Sequence, residues 1–133
     1  MSLHKVIRVG FALAVKDVSK LTDFYTEKFG FTLEASFTQP DYVILERNSV
    51  RLSLAEAGHP SADLPSHVMT APTEPSRPST MLILEVGDCD GARMELEAAG
   101  VTFVSATYRP PWGGARCFVT DPEGTLIELE ELP

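Results

Sequence analysis

Few side chains in this sequence can react or hold a ligand, and their positions are informative. Glu128 stands between Ile127 and Leu129 in an alternating run, so it faces away from its apolar neighbours on the same strand. In partly apolar surroundings its pKa would rise, which suits a general base. An arginine on the same face, Arg8, Arg51 or Arg116, would instead hold it ionised as a structural pair. Trp112, the only tryptophan, lies in Tyr108-Arg-Pro-Pro-Trp-Gly-Gly114. An indole in such a loop is either a stacking platform for a planar or cationic molecule or a plug in the domain or a subunit seam. His59 and His67 lie in a polar stretch with Asp63 between them, at a spacing that matches no helical or finger-type metal motif. Of the two cysteines, Cys117 reads as a small buried hydrophobe. Cys89 falls where a helix begins, a position that lowers a thiol pKa, although a structural role suits it better. No glycine-rich phosphate loop, Ser-His-Asp order or Cys-His pair at useful spacing is present.

These residues need a frame. The chain has 133 residues, 44% hydrophobic and 23% charged, which suits one folded domain with its own core. Lys and Arg number 11 against 19 Asp and Glu, for a net charge of −8. That balance argues against nucleic acid or an anionic membrane surface as partner. It suits a cationic ligand, and equally an ordinary acidic surface. The sequence contains no apolar run of membrane-spanning length and its first residues lack the pattern of a signal peptide. The expected location is cytoplasmic, with both thiols reduced.

The chain repeats itself. Val9–Asp17 and Thr80–Asp88 are each an apolar strand ending at an aspartate suited to cap the next helix. Helices are expected over 18–29 and 89–99, from apolar positions at Leu21, Phe24, Tyr25 and Phe29, then Ala92, Leu96 and Ala99. Gly30 and Gly100 close them, and a strand is expected after each. Two hairpins complete the pattern. Tyr42–Glu46 turns at 47–49 into Val50–Leu54, and Ala115–Val119 turns at Asp121-Pro-Glu-Gly124 into Thr125–Leu129. The expectation is therefore an α+β domain of two βαβββ modules, 5–57 and 80–133, joined by a proline-rich linker over 58–79. Pairing them would give a curved mixed sheet, a cup with the helices outside. Its inner face would be the ligand site.

Phe24-Tyr25 with Phe29-Gly30-Phe31, Leu96–Val101, and Asp121-Pro-Glu-Gly124 followed by Ile127-Glu128-Leu129 resemble the vicinal oxygen chelate superfamily, which includes glyoxalase I, bleomycin resistance proteins and extradiol dioxygenases. The resemblance spans nearly the whole chain. It implies a homodimer and, in the enzymatic members, metal ligands on the first and last strand of each module. Those positions here are Gly10, Ser53, Met81 and Glu128. Only Glu128 is an ordinary ligand for a hard divalent ion, and a catalytic site of that kind wants about three protein ligands. His4 shares strand parity with Gly10 but lies six residues earlier, about 20 Å along a strand.

In character the second module is similar to bleomycin resistance-like members, with Phe37, Tyr42, Tyr108, Trp112 and Phe118 as aromatic walls and Ser53, Met81 and Glu128 among the ligand-facing residues. The resemblance thus implies a protein that sequesters a small organic molecule, aromatic or cationic, with no cofactor and no metal expected. The alternative is a metal-dependent lyase, isomerase or dioxygenase with an atypical site around Glu128. Metal-free acid–base catalysis by Glu128 is a third possibility.

Overall fold

Two aspartates start the two helices. Asp17 is extended, and its side chain accepts the backbone N–H of Lys20 at 3.0 Å. Asp88 does the same for Gly91 at 3.0 Å. Each satisfies a donor that has no partner within the helix. In the computed structural model, which describes residues 4–133, each cap follows a strand and precedes a ten-residue helix. The order is β1 (Gly10–Val15), α1 (Val18–Glu27), β2 (Thr32–Phe37), β3 (Tyr42–Arg47), β4 (Val50–Glu56), β5 (Leu82–Glu85), α2 (Cys89–Ala98), β6 (Ala115–Thr120) and β7 (Leu126–Glu131). The architecture is α+β, with two sheets and two helices. The chain divides into two compact units, one running to Ala71 and the other from Pro72.

In the first unit the sheet order is β1-β4-β3-β2, with β1 parallel to β4 and the other pairs antiparallel. Helix α1 lies against β3 and β4. It buries Val18, Leu21 and Tyr25, and the sheet contributes Leu13, Val15, Val43, Leu45, Leu52 and Leu54. Tyr25 packs edge-on to Phe24 and Phe31, at 5.2 and 5.8 Å between ring centres. Both helices end about a residue or two before the sequence expectation. At the first exit Gly30 takes φ +69°, and the Phe31 N–H reaches back to the Tyr25 carbonyl at 3.0 Å. That left-handed step favours glycine. The β3–β4 turn holds Asn48 and Ser49 at positive φ, matching the twist of a tight hairpin.

The second unit has the order β5-β7-β6, β5 parallel and β6 antiparallel to β7. Helix α2 lies against β6 and β7 and buries Cys89 and Leu96 over Cys117, Val119, Ile127 and Leu129. The strand expected after Gly100 does not form. Its place is taken by two isolated bridges, Phe103 to Val119 and Tyr108 to Arg116. Five residues separate 103 from 108 while three separate 119 from 116, so a continuous ladder cannot stay in step. Pro110 and Pro111 also remove two donors just beyond.

Between Glu56 and Leu82 there is no helix or strand, and the division between the units falls inside this segment. Its Pro75 packs on the β6–β7 turn, where a Cβ on Gly124 would stand 2.7 Å from Pro75 Cγ. The turn closes through the Gly124 N–H to the Asp121 carbonyl at 2.9 Å.

Candidate functional site

Strand register puts Ile83, Glu128 and Phe118 in one row across the second sheet. This row lies on the face opposite the buried Ile127 and Leu129. Glu128 is 2% exposed, and its Oε2 has no hydrogen-bond partner. Arg116 Nη1 approaches that oxygen only to 3.9 Å and is itself half exposed. Burial raises the Glu128 pKa, Glu130 raises it further, and Arg116 opposes them. Burial wins because a guanidinium open to water, beyond hydrogen-bond reach, is largely screened. Arg116 sits between two rings, 5.7 Å from the centre of Tyr108 and 5.5 Å from Phe118, within cation–π range.

Arg116 also lines a cleft of about 420 Å³ with Tyr108, Pro110, Trp112, Glu130, Leu132 and Pro133. Trp112 is 75% exposed, so its indole is not a plug within this chain. The two glycines after it are structural. At φ +77°, a Cβ on Gly114 would meet the Glu131 carbonyl oxygen at 2.4 Å, and one on Gly113 would meet Pro133 Cβ at 3.2 Å. Without side chains there, the loop lies close against the C-terminal residues and forms the cleft. Sequence reasoning found Tyr108 and Trp112 but missed Glu130, Leu132 and Pro133. The pair Gly113-Gly114 was the available signal for a close backbone approach.

In the first unit, Phe37, Tyr42 and Ser53 share a sheet face and gather around a residue that was not singled out as a ligand contact. Arg51 donates from Nη2 to the Tyr42 hydroxyl at 2.6 Å and from Nε to Ser53 Oγ at 2.9 Å. Phe37 and Tyr42 stand 6.3 Å apart at 50°. Ser53 is buried and Phe37 is 56% exposed.

The four positions that correspond to family metal ligands do not fit a metal. Ser53 pairs with Ala12 and Glu128 with Ile83; Ala12 and Ile83 each lie five residues before a capping aspartate, so Ser53 and Glu128 are equivalent positions. The Ser53 oxygen already accepts from a cation. Gly10 offers no donor. Met81 is exposed, lies just before β5 rather than on it, and does not line the cleft. Glu128 remains as one carboxylate where about three ligands are wanted. Among the described residues, no group of three or more His, Cys, Asp or Glu side chains is placed to hold an ion.

The linker histidines have local partners. His59 Nε2 lies 2.5 Å from Glu56 and His67 Nδ1 lies 3.0 Å from Ser66. Asp63 is held below the usual carboxylate range by the Ser61 hydroxyl.

Cys89 is fully buried, in line with the structural role expected for it. Burial, then the Cys117 thiol 3.4 Å away, push its pKa up to about 12. Desolvation of the thiolate outweighs the helix N-terminus, and Cys89 is an inert core residue.

Residues 8–129 match the family model described as the Glyoxalase/Bleomycin resistance protein/Dioxygenase superfamily. A bleomycin resistance protein of Geobacillus stearothermophilus is 30% identical over 122 residues, covering 89% of this chain and 91% of that protein. The lactoylglutathione lyase of Agrobacterium tumefaciens superposes with a TM-score of 0.75 at 18% identity, over 97% of this chain and 96% of that one. TnmS3, an antibiotic binding protein from Streptomyces sp. CB03234, superposes with a TM-score of 0.71 at 22% identity, over 99% of this chain and 100% of that one. No helix among the described residues is long and apolar enough to cross a membrane.

Proposed function

Because the chain belongs to the glyoxalase/bleomycin resistance protein/dioxygenase superfamily, we propose that it binds a small organic molecule with an aromatic or cationic part and sequesters it without a metal and without breaking a bond. The carrying observation is the exposed Trp112 indole beside Tyr108 over the cleft of about 420 Å³. An indole left in water by its own chain, on a loop fixed by two glycines, is arranged to stack on something flat. Glu130 on the cleft wall and the net charge of −8 favour a cation. The relatives named as bleomycin resistance proteins and an antibiotic binding protein of the same fold lend support. The reading carries with it a cytoplasmic homodimer, as the family resemblance implies.

Calorimetric titration with bleomycin and a panel of aromatic antibiotics tests the proposal. Saturable binding, weakened at least about tenfold in Trp112→Ala as stacking contacts usually are, is the expected outcome. A panel with no binder, or binding indifferent to Trp112→Ala, defeats it.

A second reading, acid–base catalysis by Glu128, draws on its burial, its partnerless Oε2 and its raised pKa. It predicts turnover that Glu128→Gln abolishes, with binding retained. The donor set around Glu128 does not fit a metal.

A further inference from the structure

Arg51 is a cation whose hydrogen bonds go to neutral partners. Of the five N–H donors on a guanidinium, one is taken by Ser53 Oγ at 2.9 Å and one by the Tyr42 hydroxyl at 2.6 Å. Two carboxylates lie near it, and Glu34 feels its charge, but neither hydrogen-bonds to it. Glu46 lies opposite Arg51 across β3 and β4 but accepts the Ser49 N–H at 2.6 Å. Glu34 is bound by Arg8 through both oxygens, at 3.0 and 2.8 Å. The position is rigid as well as charged. A Cβ at Gly10 would stand 3.3 Å from Arg51 Cβ and 3.4 Å from Cγ and Cδ. The bare glycine therefore lets the aliphatic stem lie across β1. Beside the fixed head, Phe37 presents a half-exposed ring tilted against Tyr42.

We infer that this face of the first sheet is a binding site for an aromatic carboxylate, with Arg51 taking the carboxylate and Phe37 and Tyr42 contacting the ring. A guanidinium held in place by its own hydroxyl neighbours loses little freedom when it forms a charge-assisted pair. The aromatic part is required because the chain carries a net charge of −8, which repels a small anion that has no surface to bury. The inference rests on the reading that this sheet face takes a small organic ligand and adds the ligand's charge; none of its residues lines the Trp112 cleft.

Calorimetry on the full chain with 2-naphthoate, 2-naphthamide and acetate tests it. Naphthoate should bind at least about tenfold tighter than naphthamide, a charged hydrogen bond against a neutral one, and acetate should not bind. Arg51→Met should erase the preference. Tyr42→Phe, which keeps the ring and removes one tether, should weaken naphthoate several-fold. Equal affinity for naphthoate and naphthamide, no naphthoate binding, or a preference that persists in Arg51→Met overturns the inference. Should Arg51→Met not fold, the wild-type comparison and Tyr42→Phe still decide. The antibiotic titrations turn on Trp112, so either proposal can fail alone.

Discussion

The two sheets are built on one plan and finished differently. Each begins with a strand, a capping aspartate, a ten-residue helix and a glycine exit, and each pairs its first strand in parallel with its last. On the face under the helix the two agree in kind, with leucine, valine, isoleucine and cysteine side chains near zero exposure. On the opposite face they part. At equivalent positions stand Ser53, hydrogen-bonded to an ordered arginine, and Glu128, buried with a partnerless oxygen. A helix-covered face must be apolar for the fold to hold together, whereas the other face is free to take on chemistry. The repeat therefore accounts for the scaffold, and the departures from it mark where function is to be sought.

The largest expected effect tests whether the two helices are seated equally. Helix α1 buries three side chains in an aromatic cluster, and α2 buries a cysteine and a leucine. Tyr25→Ala should cost about 3–5 kcal/mol in denaturant unfolding, and Leu96→Ala about 2–3 kcal/mol. Equal losses would remove the distinction. Next in size, Asp17→Ala and Asp88→Ala should each cost about 1 kcal/mol. Their similarity would sharpen the account of a shared plan; a silent cap in either half would break it.

Glu128 should make the stability of the chain depend on pH. Its folded pKa is raised by burial, so the native state holds the proton more tightly than the unfolded chain does. The stability tied to that proton is complete below the unfolded carboxylate value of about 4.3. It is lost as pH rises through the folded pKa. Glu128→Gln should therefore raise the melting temperature by a few degrees at pH 8 and leave it unchanged near pH 4; Ser53→Ala should show no such pH profile. A Glu128→Gln protein less stable at pH 8 would mean that Arg116 holds the carboxylate ionised after all. The smallest expected change in stability is that of Trp112→Ala, within about 0.5 kcal/mol, since the indole packs little against its own chain.

The scaffold was readable because its signals are local. A capping aspartate, a helical apolar period and a glycine exit all act within a few residues, and both copies could be found by matching one against the other. The strand after Gly100 failed because its pairing depends on spacing against β6, which the two extra residues between Phe103 and Tyr108 break. The site was partly legible. Alternation placed Arg51 and Ser53 on one face and the family resemblance supplied Tyr42, but Arg51 emerged as their organiser only through hydrogen bonds that alternation does not specify. The cleft needed Leu132 and Pro133 from the chain end, a long-range contact hinted at only by Gly113-Gly114. For Cys89 the sequence left a helix-start thiol beside the preferred structural role, and burial, which sequence position does not measure, decided for the latter.

On the proposed function, recognition rests on Trp112 and requires no metal. Trp112 is the only tryptophan, so its emission reports the cleft directly. Titration of chelator-treated protein with bleomycin and the aromatic antibiotic panel should give a saturable change in emission, with the same midpoint when divalent ions are restored. No change with any compound, or a change that appears only when a divalent ion is added back, would rule out metal-free recognition at Trp112.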